Sequence, residues 1–506
     1  MEALFMVTVR LPDILRKYAA GLEFVPVEAS TVGEALRAVV IAHPDTGVRL
    51  FDDQGVLHGH LMVFRQGAEV LPAEILTTSV DAGDRIDLLV AVAGGVDDVR
   101  MRGFRERATV QEALVAAMKD VGPLASEAVR VTECAGRVLA GDVISEVDVP
   151  PFRRATMDGY AVRAEDTYGA SPYNPVLLEI SGQSMPGTGS PDPIGPGRGC
   201  RIMTGAPVPA NADAVLRAED ADDDNGRLEV RAAVPQGRNV GRVGEDVEAG
   251  TTVLTKGRRL LPQDVGLLAS VGHDPVNVYR RPMVRIIVSG DELLPPGEKP
   301  AGTRVVDSNS PMLAALVDRD GGCSEVVRLP DDVEAMREAL ARPGADVIVT
   351  AGAASVGTED RVPLLVAELG EIRVHGVAMR PSSPTGVGMI GAAPVLLLPG
   401  NPVSCLVAYD FFAGPVIRTM GGLPARWPYR TARLLLRKRI VSQIGRTDYA
   451  RVLVEGGSVE PLAVSGASLL SSVTRASGFV VIPEGSEGYP EGTEIDVHLY
   501  EGHALS

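Results

Sequence analysis

The run Leu398-Pro399-Gly400-Asn401-Pro402-Val403-Ser404 closes an apolar strand and opens a helix, and a related strand-to-loop crossing over residues 346–357 precedes it. Gly- and Ser-rich crossings aim backbone N–H groups and a positive helix terminus at one point, which suits an anionic phosphate. Two of them in one α/β unit predict a pocket for a phosphate-bearing small molecule at the carboxyl ends of parallel strands. Ser289, Gly290 and Asp291 end another strand, where ligands collect in open α/β sheets. Asp291 could hold Mg²⁺, which takes one or two carboxylates plus phosphate oxygens, or it could cap a helix. Asp360, just after Ser355-Val356-Gly357, has the same two readings. Two carboxylates and two phosphate-cradling turns on one sheet edge favour the ligand reading. Arg380, in Met379-Arg380-Pro381-Ser382-Ser383-Pro384, would offer a fixed guanidinium to an oxyanion or phosphate, or serve as a solvated turn arginine. The stretches 156–162 and 203–207 read from composition as structural turns with exposed polar side chains.

The elements that must position these groups fall into zones. Residues 1–95 alternate as strand (4–10), short helix (12–19), strand (22–27), helix (31–42) and strands (61–65 and 85–92), a small α+β roll with one helix across a mixed sheet. Ser30 or Thr31 caps the helix, with Glu34 placed for a capping box. A polar link, 94–100, leads to a helix over 109–119, in which Val110, Leu114 and Met118 share a face. Residues 149–241 are Pro- and Gly-rich with short strands, and read as a β subdomain inserted into a helical linker region of 104–148 and 242–280; helix is expected to return over 251–271. The zone 281–423 alternates strands (284–288, 325–328, 346–350, 395–398) with helices (310–320, 332–341, 360–369, 403–420), a doubly wound parallel sheet with helices on both faces. Residues 424–506 are strands and turns, a small barrel or sandwich. The fold class is therefore multi-domain α/β and β.

Composition bounds the function. The 506 residues predict three or four domains, with 45% apolar content for several cores. A net charge of −17 argues against nucleic acid and anionic membrane as partners. The longest apolar runs, such as 395–398 and 88–93, are too short to cross a bilayer, and the N-terminus lacks the features of a secretion signal. Cys134, Cys200, Cys323 and Cys405 form no CxxC pair, and only His58 and His60 among the seven histidines cluster, so reduced buried thiols in a cytoplasmic protein are expected rather than a metal site.

Six motifs now stand in order: Asp158-Gly159-Tyr160-Ala161-Val162, Met203-Thr204-Gly205-Ala206-Pro207, Gly244-Glu245-Asp246, Ser289-Gly290-Asp291-Glu292-Leu293, Ser355-Val356-Gly357 and Leu398 to Ser404. Together they resemble the MoeA/gephyrin family of molybdopterin molybdenumtransferases over about residues 104–506. Residues 1–95 resemble the ubiquitin-like sulfur carrier MoaD, with a closing strand and the pair Gly94-Gly95. The resemblance implies a β-grasp roll, a MogA-like α/β domain and a C-terminal β-barrel. It implies an enzyme that inserts molybdate into adenylylated molybdopterin with Mg²⁺ and releases AMP. Carried over by position, Asp158, Thr204 and Glu245 would face the α/β pocket of a partner subunit in a homodimer. Asp291 and Asp360 would be the metal carboxylates, Arg380 a retained cation, and Ser289, Gly290, Ser355, Gly357, Pro399, Gly400, Asn401 and Ser404 the lining of the pterin phosphate pocket. Other molybdenum cofactor biosynthesis proteins are implied partners. An alternative is a molybdopterin-binding scaffold that has lost catalysis.

The chain departs from the family pattern at three places. Ala351-Gly352-Ala353-Ala354 replaces a Ser-Gly-Gly turn, and a Cβ there could crowd a phosphate. Ser383 stands where a second lysine is usual. Arg153-Arg154 replaces Asp-Asn, and these arginines are expected to restore positive charge from another direction. A working carrier needs a free terminal glycine, but Gly95 is followed by Val96. Either a protease cuts there or the roll is a docking module; the uncut chain is the preferred expectation.

Overall fold

The structure is a computed structural model of the chain and describes residues 5–16, 18–51, 57, 61–66, 68–70, 74–90, 107–189, 191–300, 302–352, 361–463 and 466–500. Ser355, Gly357 and Asp360, the altered residues Ala353 and Ala354, His58 and His60, and the Gly94-Gly95 link lie outside the described residues.

In the first unit, Phe5–Arg10 and Phe24–Ala29 form an antiparallel hairpin, and Arg85–Val90 lies parallel beside the first strand. Leu61–Arg65 and Ala68–Val70 complete a five-stranded sheet, with the hairpin on one side of Arg85–Val90 and these two on the other. The helix Val32–Ala42 starts where Thr31 Oγ1 accepts the Glu34 N–H at 3.2 Å and the Glu34 carboxylate accepts the Ser30 N–H at 2.9 Å. Val7, Val9, Val25 and Val27 alternate inward against Leu36 and Val39 of that helix, giving the unit its own core. This is a β-grasp roll.

The linker region is less helical than its sequence suggests. Over 251–271 the chain forms a strand, Thr252–Leu254, before the helix Pro262–Ser270, because Val143–Ile144 supplies an antiparallel partner. A second ladder joins Ser126–Val129 to Val276–Tyr279. The helix Val110–Met118 has a full capping box between Thr109 and Glu112 and packs Ala113 and Ala117 onto the α/β domain. The inserted subdomain is a six-stranded sheet with apolar clusters on both faces.

The α/β sheet runs in the order Cys323–Leu329, Met283–Ser289, Val347–Ala351, Ala393–Leu398, Gly386–Ile390, Glu371–His375. The first four strands are parallel, and Gly386–Ile390 turns antiparallel, so the sheet carries a hairpin edge that alternation of strand and helix does not signal. Strands buried on both faces, such as Val347–Ala351, read as nearly continuous apolar runs for that reason, broken here only by Thr350. Helical structure over Pro402–Met420 is continuous for 19 residues, long and apolar enough to cross a membrane by composition, contrary to the short runs apparent in the sequence. Its apolar window is 89% buried inside the protein. In the last unit Thr447–Glu455, Ser458–Ala463, Arg430–Leu436, Glu494–Leu499 and Gly478–Ile482 close on themselves as a five-stranded barrel.

A buried polar cluster pins the barrel to the α/β domain. Asp320 ends one helix and Asp410 lies in a π turn, Tyr409–Ala413, of another; both side chains are fully buried. Arg319 donates to both carboxylates at 2.9 Å, Arg418 donates to Asp320 at 2.9 Å, and Tyr429 from the barrel side donates to Asp410 at 2.7 Å. Two carboxylates meet two guanidiniums, so the charge closes, although burial still pushes the Asp410 carboxyl up against the pull of Arg319. Asp410→Ala leaves Arg319 without one of its carboxylates and is expected to cost about 3–5 kcal/mol. Denaturant unfolding checks this; a loss below about 1 kcal/mol would contradict it.

Candidate active site

A cleft of about 1260 Å³ opens at the carboxyl ends of the parallel strands, as the crossings predict. Ser289, Gly290 and Asp291 form one lip, Pro399, Gly400 and Asn401 another, and Gly352 the floor between them. The two crossings meet backbone to backbone. Gly352 donates its N–H to the Leu398 carbonyl at 3.2 Å, and a Cβ on Gly400 would stand 3.4 Å from the Gly352 Cα. Gly352, at a φ of 97°, has the backbone conformation that favours glycine, whereas a Cβ on Gly400 would make only an ordinary contact.

The phosphate cradle differs from the sequence expectation in one respect. Pro402 has no N–H, and Val403 gives its N–H to the Ala467 carbonyl at 2.9 Å, so the barrel side satisfies part of the helix terminus. The N–H groups of Gly400 and Asn401 are left without a partner among the described residues and are the available donors. The Asn401 side-chain oxygen already accepts Ser468 Oγ at 2.8 Å. Ser404, expected on the wall, is buried beneath it, and its carbonyl accepts the Ser382 hydroxyl at 2.7 Å. Its part is to anchor the Arg380 turn.

Asp291 is no helix cap, since the strand Leu293–Leu294 follows it. It faces Asp331 across the cleft: the Asp291 N–H reaches Asp331 Oδ2 at 3.4 Å, and the Asp331 N–H reaches Asp291 Oδ1 at 3.3 Å. Glu292, Asp307 and Asp332 also line the cleft, against a single cation among the described residues, Arg361. Of these, Asp307 is neutralised by Arg328 at 2.9 Å, and Asp332 caps the helix Val333–Ala341 by accepting the Ala335 N–H at 2.7 Å. Asp331 and Glu292 escape the sequence reading, although Asp331 follows a parallel strand as Asp291 does, and the same topological argument finds it. A polyphosphate entering so acidic a mouth needs a counter-cation. No group of three or more His, Cys, Asp or Glu among the described residues makes a complete metal cage. Mg²⁺ asks for less, one or two carboxylates with phosphate oxygens and water, and Asp291 with Asp331 fits that demand.

Arg380 is half-buried and not in a plain turn. Met379–Arg380 pairs in parallel with Thr447–Asp448 of the barrel, and the guanidinium bonds the fully buried Asp448 carboxylate. Arg446 Nε donates to the other oxygen of Asp448 at 2.9 Å, and Ser442 Oγ adds a bond at 2.9 Å. Two guanidiniums thus share one carboxylate. Burial, and then the neighbouring Arg380 charge, act to lower the Arg446 pKa, and Asp448 opposes them. Arg380 Nε and Ser383 Oγ, on the same turn, are buried with no hydrogen-bond partner. The turn reaches the cleft at Pro384. Arg446 and Asp448 carry no sequence signal of this role, because they come from the start of a barrel strand and the turn before it, in another unit.

Asp158 and Thr204 come together on the inserted subdomain, Glu245 lies just beyond it and pairs with Arg154, and none of the three lines this chain's cleft. Asp158 Oδ1 accepts the Thr204 N–H at 2.7 Å and its hydroxyl at 2.8 Å, which holds the carboxyl below the usual carboxylate range. Gly159 must follow, since a Cβ there would lie 1.9 Å from the Leu216 carbonyl oxygen. Exposed Phe152, Met157, Met203 and Val243 occur in the segments that carry these polar groups. The expectation that Arg153 and Arg154 supply free positive charge is corrected for Arg154, which is paired with Glu245 at 2.7 Å. Arg153 donates to the Ala212 and Pro209 carbonyls, which position its guanidinium without neutralising it.

Comparison with known proteins follows the same divisions. Residues 108–272 match the family model "MoeA N-terminal region (domain I and II)", residues 285–419 "Probable molybdopterin binding domain", and residues 433–500 "MoeA C-terminal region (domain IV)". A curated relative, molybdopterin molybdenumtransferase 2 of Mycobacterium tuberculosis, is 35% identical over 413 residues, covering 78% of this chain and 99% of the relative. A solved molybdopterin biosynthesis MoeA protein from Pyrococcus horikoshii is 34% identical, with a TM-score of 0.68, covering 79% of this chain and all of that one. Small archaeal modifier protein 1 of Haloferax volcanii is 34% identical, covering 17% of this chain and 94% of its own, with a TM-score of 0.15.

The Asp158–Thr204 pair has a titration signature. Thr204→Val removes the hydroxyl donor and is expected to move the Asp158 carboxyl back up toward the ordinary range, read by carbon NMR across an acid titration. Because the folded value is depressed, any stabilisation from the pair is present above the usual carboxylate range and fades as pH falls through the folded value. An unmoved titration in the variant contradicts the assignment.

Proposed function

Since the chain belongs to the MoeA family of molybdopterin molybdenumtransferases, with an added N-terminal MoaD-like β-grasp domain, we propose that its transferase reaction runs in the strand-end cleft, with molybdate held at the Arg380 turn. The protein acts in molybdenum cofactor biosynthesis. Its substrates are adenylylated molybdopterin and molybdate, and AMP leaves as the phosphoanhydride is cleaved. The observation that carries this reading is the adjacency of two chemically distinct sites. An acidic phosphate cleft adjoins, at Pro384, a turn where Arg380 and Arg446 share one buried carboxylate and leave donors unsatisfied.

Each group has a task in this scheme. The N–H groups of Gly400 and Asn401 receive a phosphate oxygen, with Ser289, Gly290 and Pro399 shaping the walls, and Ser355 and Gly357 assigned to the facing turn. Asp291 and Asp331, with Asp360, would hold Mg²⁺, which when bound neutralises phosphate charge. Arg380 and Arg446 bind the oxyanion, and Ser383 offers a hydroxyl in place of an ammonium. Fixed donors aimed at developing charge are worth most in a site that is already shielded from water.

Asp158, Thr204 and Glu245 act in trans. They sit on an exposed face with apolar neighbours and contribute nothing to the cleft of their own chain, which supports a homodimer whose cleft is completed by the partner subunit. We further assign 1–95 to the carrier-like domain, 104–148 with 242–280 to the linker, 149–241 to the insertion, 281–423 to pterin binding and 424–506 to the barrel. The free cysteines accord with a cytoplasmic setting.

Two measurements test the catalytic reading. AMP release from adenylylated molybdopterin should depend on molybdate, and Arg380→Ala should lower the molybdate-dependent rate by about 10²–10³-fold. Tight pterin binding without any AMP release would instead favour a scaffold. For the shared cleft, Asp158→Ala and Asp291→Asn subunits, each inactive alone, should regain activity when refolded together; no recovery in the mixture contradicts a cleft built from two chains. The carrier-like domain is read as a docking module that stays attached, so the native mass should be that of the whole chain. A fragment ending at Gly95 would overturn that.

A further inference from the structure

A second cavity, of about 230 Å³, opens where the linker region meets the α/β domain. Arg137, Arg259, Arg280 and Arg281 line it, with one carboxylate, Asp318. In a chain of net charge −17, this concentration of guanidinium opposes the overall sign of the surface.

Three of the four arginines are held in place. Arg280 makes a bidentate pair with Asp346 at 2.8 and 2.7 Å. Arg281 bonds Asp318 at 2.6 Å and the carbonyls of Gly321 and Gly322. Arg137 bonds Glu127 and the Tyr279 carbonyl, the latter at 2.9 Å, and these contacts leave its Nε buried with no partner. Arg259 is exposed and donates only to the Arg319 carbonyl at 3.3 Å, with no carboxylate partner among the described residues. The wall therefore offers prearranged donors from two units and retains one guanidinium that is not neutralised. It offers no free aromatic face for a base. The ring of Tyr279 is packed against Gly422, where a Cβ would stand 2.2 Å from it, and the Lys256 ammonium lies 5.9 Å from its centroid.

We propose that this cavity binds a free tetrahedral oxyanion of the phosphate class, bridging Arg137 and Arg259 of the linker to Arg281 of the α/β domain. Planar guanidiniums from two units suit such an anion, and the unpaired Arg259 leaves the wall with one positive charge over its three carboxylate-paired arginines. The site is separate from the Arg380 turn. An anion seated here ties the base of the linker, and so the inserted subdomain carrying Asp158 and Thr204, to the domain that holds the cleft.

Calorimetric titration of inorganic phosphate into the full chain tests this, using wild type, Arg259→Ala, Arg259→Gln and Arg380→Ala. Arg259 is exposed, so its variants should keep the wild-type Tm, and unfolding midpoints confirm that binding is compared on folded protein. The expected result is phosphate binding in wild type and Arg380→Ala, weakened at least about tenfold in both Arg259 variants, a loss of about 1.4 kcal/mol. Equal affinity in the Arg259 variants, loss in Arg380→Ala instead, or no binding to wild type overturns the proposal. So does Arg259-dependent binding of AMP without binding of phosphate, which would make the site one for a nucleotide.

Discussion

Asp448 is a carboxylate with no exposure to water, and a lone buried charge is too costly to keep. It is kept because two guanidiniums reach it: Arg380 from the edge of the α/β domain and Arg446 from the turn that leads into the barrel strand carrying Asp448. That single demand for compensation fixes much else. It sets Met379–Arg380 as a strand against Thr447–Asp448, docks the barrel beside the cleft, and holds Ser382 at a φ of 85° with its hydroxyl bonded to the Ser404 carbonyl. Two cations on one anion leave a net positive charge on half-buried guanidiniums. A substrate oxyanion is the natural partner for such an excess, whereas a structural salt bridge would have closed its charge, as the Arg319–Asp320–Asp410–Arg418 cluster does.

The cleft next to it has the opposite character. Carboxylates dominate its mouth, and among the described residues Arg361 is the one cation on its wall. The two neighbouring sites thus divide the chemistry by sign. On the proposed reading, one end would take phosphate together with a divalent cation, and the other would take an oxyanion directly. The Ser404 carbonyl links them mechanically, since the crossing that forms the phosphate lip also anchors the oxyanion turn.

Much of this was legible in the sequence where the determinants are local. Crossings such as Leu398 to Ser404 announce themselves by glycine, proline and an apolar run, and the strand ends at Ser289 and Gly352 follow from the alternation of strand and helix. What was hidden depends on long-range pairing. The strand Thr252–Leu254 exists because Val143–Ile144 lies beside it, and Val403 loses its N–H to Ala467 across a domain boundary. The fate of Arg154 could not be read either, for its partner Glu245 is brought near only when Arg154–Ala155 pairs with Val240–Gly241. Arginine in a sequence signals charge; whether that charge is free is decided by the fold.

The central claim is that molybdate binds at the Arg380 turn. Crystals of the full chain soaked with molybdate and measured at the molybdenum absorption edge test it directly. The account predicts an anomalous peak within hydrogen-bond reach of Arg380 and Arg446 that disappears in Arg380→Ala. A peak only elsewhere in the molecule, or one that persists unchanged in the variant, would contradict it.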